Sequence, residues 1–177
     1  FKNENIQGNP ASFIQTLIRR YSDFETKDAL NIVVKMLLDI GINNTDNHLR
    51  NLRIILNQRN KWELSPIYDL VFNPENHNHV YNPAGVALNE LYLNNPKLAE
   101  YMSKELGIKQ DIILGKIEHA KKVISNWEFY CDKNHMTDKD KLKIRNAISL
   151  GLNRKNAEYE LKVQKTINHV PKLKLTK

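Results

Sequence analysis

Hydrophobic positions in the first third of the chain gather into one long run. From Ala29 to Ile40 the residues Leu30, Ile32, Val33, Val34, Met36, Leu37 and Leu38 fall on nearly every side of a helical wheel. A helix without a polar face belongs in the middle of a domain, and the spacing predicts such a central helix over 26–41. Thr26 opens it, Asp28 lies in its positive first turn, and Gly41 ends it. Residues 1–25 read as a polar loop with Gly8 and Pro10, then a short helix. Ser12 caps that helix, and Phe13, Ile14, Leu17 and Ile18 are at helical spacing up to about Tyr21.

After Gly41 the pattern changes. Residues 43–51 are too rich in Asn and Asp for a regular element. Two β-like runs follow, Leu52–Leu56 and Lys61–Leu64, joined by Asn57-Gln58-Arg59-Asn60, and they predict a hairpin that Pro66 terminates. Residues 72–96, with Pro74, Pro83, Gly85 and Pro96, predict a long irregular loop. Helical periodicity returns near 97–106 and 109–127, the second segment carrying the stripe Ile113, Ile117, Ala120, Ile124, Trp127. Thr137 and Asp140 form a capping-box pattern that opens a further helix to about Leu150. The expected fold is mainly α, with a small β-hairpin inside the polar segment 42–71, an irregular loop over 72–96, a helical bundle over 97–153 and a basic tail over 154–177. Val170 to Lys177 alternates weakly, as an edge strand or a disordered end would. Trp62 and Trp127 are expected in the core or half-buried.

Composition narrows the class. The chain has 177 residues, 41% apolar and 27% charged, which suits one soluble globular domain. No apolar run approaches the ~20 residues of a membrane helix, and no secretory leader pattern is visible. The sequence begins at Phe1 rather than Met, so the expectation is a part of a longer polypeptide. The single cysteine, Cys131, fits a reducing, cytoplasmic setting and has no nucleophile signature around it. Net charge is +7, and residues 154–177 hold seven basic against two acidic residues, so five of those charges belong to the tail. A solvated tail and a surface for acidic partners are equally good readings of it.

The chemistry lies in Asn44-Thr45-Asp46-Asn47-His48-Leu49-Arg50-Asn51 and Leu64-Ser65-Pro66-Ile67-Tyr68-Asp69-Leu70. The predicted hairpin turns the chain back, so Asp69 can return to Asn51 although 18 residues separate them. Asp46, Asn51 and Asp69 then offer three converging oxygen-bearing side chains. Magnesium takes oxygen ligands and usually one or two carboxylates, the rest of its shell being phosphate and water. Asn51 and Asp69 suit that role, and Asp46 suits a base that orients a substrate hydroxyl for phosphoryl transfer. Against this stands the plain reading that all three are turn and cap residues, since Asp and Asn are common there. His77 and His79 lack a cysteine or acidic companion at zinc spacing. Asp39, near the end of the central helix, opposes the helix dipole and so calls for a basic or hydrogen-bonding partner.

Together, N-T-D-N-H-L-R-N and L-S-P-I-Y-D-L resemble the paired motifs in the C-terminal region of the HipA family of bacterial toxin kinases. The resemblance is sharp over 28–71. It implies the helical C-lobe of a protein-kinase-like fold, with Asp46 as the catalytic-loop aspartate and Asn51 and Asp69 as magnesium ligands. His48 and Arg50 join Asn51 and Asp69 in nucleotide binding. ATP and Mg2+ are the implied cofactors. The implied substrate is a Ser/Thr hydroxyl of a protein such as an aminoacyl-tRNA synthetase, with inhibited translation and persistence as the outcome. The implied partner is a HipB-like DNA-binding antitoxin, through which contact with DNA would be indirect. Arg50 stands where the family often has Lys, which keeps the charge but not the geometry. No glycine-rich phosphate loop or strand-borne Lys is found in the sequence, so the lobe is expected to be inactive alone. Two alternatives remain: a non-catalytic module that binds an antitoxin or DNA, and a metal-dependent hydrolase using Asp46 and Asp69 as a carboxylate pair.

Overall fold

The computed structural model describes residues 16, 18–46, 51–75 and 91–168, with side chains as far as Arg154. Its central element is helix α1, Glu25–Gly41, with Ile32, Val33, Met36, Leu37 and Ile40 all within 1% of complete burial. The all-round apolar pattern is the cause, because such a helix loses apolar surface to water on whichever side it is left open. A hairpin follows, β1 (Ile54–Leu56) against β2 (Trp62–Leu64), antiparallel with Ile54 opposite Leu64 and Leu56 opposite Trp62. Asn57 closes its turn. The Asn57 Oδ1 accepts from the N–H groups of Arg59 and Lys61 at 2.9 and 3.1 Å, and Asn60 takes the left-handed conformation at φ 54°.

Four helices complete the described chain: α2 (Leu98–Leu106), α3 (Gln110–Ile124), α4 (Trp127–Lys133) and α5 (Asp138–Asn168). The mainly helical architecture with one small antiparallel sheet matches the sequence expectation. Helix α1 packs against α3, α5 and β2, while α2 packs on α3. The stripe Ile113, Ile117, Ala120 and Ile124 is buried against it, and Gly107 at φ 65° caps α2 in the left-handed conformation.

Several expectations need correction. The segment 109–127 is not one helix, since turns at Ser125 and Asn126 separate α3 from α4. Trp62, at the first position of β2, is 49% exposed and is not in the core. The helix opened by Thr137 reaches a break at Asn153 (φ −146°, ψ 61°), close to its expected end near Leu150, but a second helical segment continues to Asn168, so much of the basic tail is helical. The Thr137–Asp140 cap is present, with half of the capping-box pair. The Thr137 hydroxyl donates to Asp140 Oδ2 at 2.8 Å and accepts the Asp140 N–H at 3.2 Å. Leu91 and Leu93, placed in the irregular loop, are core residues at 1% exposure. Residues 1–15, His77 and His79 in 76–90, and 169–177 lie outside the described residues. No helix among the described residues is long and apolar enough to cross a membrane.

Candidate active site

The site begins where α1 ends. Gly41 is the last helical residue, yet the left-handed position that turns the chain belongs to Asn43, at φ 53°. Asn is the non-glycine residue that tolerates this conformation best. Its N–H still reaches back to the Ile40 carbonyl at 3.1 Å, and the Asn44 N–H reaches the Asp39 carbonyl at 2.7 Å, so the orphan carbonyls of the last turn are used.

Three consecutive side chains then fasten the loop. Asn43 Nδ2 donates to the carbonyls of Asn73 and Glu75 at 2.8 and 3.0 Å, while its Oδ1 accepts from the Arg154 guanidinium at 3.2 Å. Asn44 Nδ2 donates to Asp39 Oδ1 at 2.9 Å and to the Asp69 carbonyl at 3.1 Å, while its Oδ1 accepts the Asp46 N–H at 3.2 Å. Thr45 Oγ1 accepts from Asn73 Nδ2 at 2.6 Å. All three residues are buried. The loop from α1 is thereby tied to the segment after the hairpin, which carries Asp69.

Asp46 emerges from this platform exposed. Asn51, 6% exposed, donates from Nδ2 to Asp69 Oδ2 at 2.6 Å and to the Asp46 carbonyl at 3.3 Å. The hairpin therefore does return Asp69 to Asn51. Asp69 is held at φ 58°, a conformation that costs a non-glycine residue energy and persists only where the surroundings enforce it. Its side chain is exposed, so the pair opens to solvent. In this state the Asn51 amide turns its nitrogen to the Asp69 carboxylate. One carboxylate and one amide side chain, which could offer its oxygen, would suit a magnesium ion whose remaining ligands are phosphate and water, and do not make a closed cage. Among the described residues no group of three or more His, Cys, Asp or Glu converges as a metal cage would require. His48 and Arg50 lie outside the described residues.

Behind the loop sits an ion pair inside α1. Lys35 Nζ donates to Asp39 Oδ2 at 2.8 Å, and both side chains are at most 3% exposed. Lys35 is thus the partner that Asp39 requires, with Asn44 as a second donor. Burial pushes the Asp39 carboxyl above the usual 3.8; Lys35 and Asn44 pull against it, and the negative charge of Asp69 adds to the rise. Sequence reasoning missed Lys35, Asn43, Asn44, Asn73 and Arg154. One signal was present: Lys35 and Asp39 stand at i and i+4 in a helix otherwise apolar all round, so they had to meet in the interior.

The model of the HipA-like C-terminal domain family matches residues 5–127, well over half of the chain, and the chain belongs to that family. No curated protein and no solved structure matches it.

Proposed function

We propose that this member of the HipA-like C-terminal domain family is the helical lobe of a kinase-like fold and transfers the γ-phosphoryl group of ATP to a Ser/Thr hydroxyl of a protein. The reading is supported above all by the 2.6 Å hydrogen bond between Asn51 and Asp69, residues brought together across the hairpin beside Asp46. Asn51 and Asp69 would hold Mg2+ bound to the nucleotide. The ion would neutralise charge developing on the phosphoryl oxygens. Asp46, exposed and anchored through its backbone on both sides, would accept the hydrogen bond of the attacking hydroxyl and orient it. His48, two residues after Asp46, and Arg50, next to Asn51, would join in binding the nucleotide. The grip on ATP would come from outside these residues, so the 177-residue chain by itself is expected to be inert. A cytoplasmic setting and a DNA-binding antitoxin partner go with this reading.

The test is phosphate transfer from γ-labelled ATP by the full-length polypeptide in Mg2+. Asp46→Ala should lower the rate by on the order of 10²–10⁴ while the fold survives. Asp69→Ala should abolish transfer and Asn51→Ala weaken it. An Asp46→Asn enzyme working at a near-normal rate would sink the assignment.

A further inference from the structure

Lys35 and Asp39 are a puzzle if their purpose is stability. Two charges taken wholly out of water lose hydration that their mutual attraction barely repays, and well-packed apolar residues commonly do as well. The surroundings make matters worse. Asp39 sits in the last turn of α1, where the helix dipole disfavours a negative charge. The order is also the weaker one, with the cation N-terminal to the anion. Within α1 alone nothing compensates. The compensation lies in the other carboxylate oxygen, Asp39 Oδ1, which accepts from Asn44 Nδ2 at 2.9 Å.

Asn44 is 1% exposed and every hydrogen-bonding group of its side chain is engaged. One donor is held by Asp39, the other reaches the Asp69 carbonyl, and the oxygen holds the Asp46 N–H. A single amide therefore contacts the backbone of both aspartates that the site needs. An amide plane can rotate. Fixed at one corner by a buried carboxylate oxygen, it cannot rotate without leaving that oxygen without its donor. Lys35 in turn keeps Asp39 charged and aimed. The left-handed backbone at Asp69 is just the sort of conformation that needs such enforcement.

We propose that Asn44 is the positioning residue of this site, setting Asp46 and Asp69 together, and that the buried Lys35–Asp39 pair exists to orient Asn44 rather than to stabilise α1. The proposal rests on the reading of Asp46 and Asp69 as catalytic base and metal ligand.

Two double variants of the full-length polypeptide separate the roles. Lys35→Met with Asp39→Asn removes both charges but leaves an amide oxygen to accept from Asn44. Lys35→Met with Asp39→Val removes the charges and the acceptor. Both should fold, the Asn form with a thermal midpoint near that of the parent and the Val form below it, because the Val form leaves one buried Asn44 N–H without an acceptor. The Asn form should phosphorylate close to the parental rate. The Val form should lose on the order of 10²-fold in kcat, with a smaller change in the KM for the protein substrate, because the fault is misplacement of reacting groups. Equal rates in the two forms would overturn the proposal. Amide hydrogen exchange at Asp46 gives a readout independent of turnover, and the exchange should be slow in the parent and the Asn form and fast in the Val form. If the parent proves to have no kinase activity but exchange follows this order, the functional reading fails and the orienting role of Asn44 stands. If exchange is the same in all three proteins, the orienting role fails whatever the activity.

Discussion

Gly151 and Gly115 are both glycines inside helices, and replacing each by alanine should move stability in opposite directions. A Cβ built on Gly115 in α3 meets nothing within 4 Å. Alanine there removes chain entropy from the unfolded state and should stabilise by about 0.5–1 kcal/mol. A Cβ on Gly151 in α5 would collide with the carbonyl oxygens of both Ile40 and Gly41, and with Gly41 carbonyl carbon at 2.5 Å. These are backbone atoms at the end of α1 and cannot swing aside like the tip of a side chain, so α5 must move away. Overpacking of this kind costs about 1–3 kcal/mol and here falls at the upper end. Against it stands a helix-propensity gain of at most about 1 kcal/mol. The net should be a loss of about 1–2 kcal/mol. For a chain of this size each kcal/mol moves the thermal midpoint by about 2–4 °C. Calorimetry should therefore show Gly115→Ala melting about 1–4 °C higher than the parent and Gly151→Ala about 2–8 °C lower. The Gly151 variant should also lose the hydrogen bond from the Leu93 N–H to the Gly151 carbonyl, now 2.8 Å. Two variants with equal, raised midpoints would refute the close crossing of α1 and α5.

Other expectations follow from local contacts. Asp28 is fully buried, and its Oδ2 accepts from the Leu64 N–H at 2.7 Å and the Ser22 hydroxyl at 2.6 Å, joining α1 to β2. Asp28→Ala should cost about 1.5–3 kcal/mol in urea denaturation, and Ser22→Ala clearly less, since only the second donor is lost. Asp140, held by the Thr137 hydroxyl and then by Lys143, has its carboxyl below the usual 3.8. Its support of α5 is complete above that value and is lost as pH falls through the lower folded value, so an NMR titration midpoint at or above 3.8 would contradict the capping geometry. Asp39 moves the opposite way, above 3.8, so its contribution diminishes as pH rises through the folded value, and its carboxyl resonance should titrate there. Cys131, 4% exposed on the wall of an apolar cavity of about 330 Å³, should react with thiol reagents only as fast as the protein opens, and denaturant should speed the reaction.

The helices were legible where burial alone dictates the pattern. α1 could be read because its apolar residues leave no exposed face, and α3 because its stripe repeats every three or four residues. The turn at Ser125 and Asn126 and the helical segment beyond the break at Asn153 carry no such pattern, so one helix was expected where two stand, and the tail was not expected to be helical. Gly41 shows a subtler failure. A glycine after an apolar run suggests a left-handed cap, but the left-handed residue is Asn43. Gly41 instead leaves the space that the methyl ends of Ile124 and Leu93 fill, and those residues lie far along the chain.

The same distinction governs the site. Asp46, Asn51 and Asp69 could be picked out because their oxygen chemistry is visible in the residue type. What fixes them is not, since Asn43 and Asn44 are satisfied largely by backbone groups, and every residue offers a carbonyl. Arg154 makes the point most sharply. By sequence it is the first cation of a basic tail. In the fold it is 2% exposed and donates to Asn43 across 111 positions. It lies just beyond the break at Asn153, and just before that break Gly151 allows α5 to touch the end of α1. The break therefore lets α5 meet the end of α1 by close backbone packing and the loop that follows it by a guanidinium. The platform under Asp46 and Asp69 is built as much by α5 as by the motif that bears them.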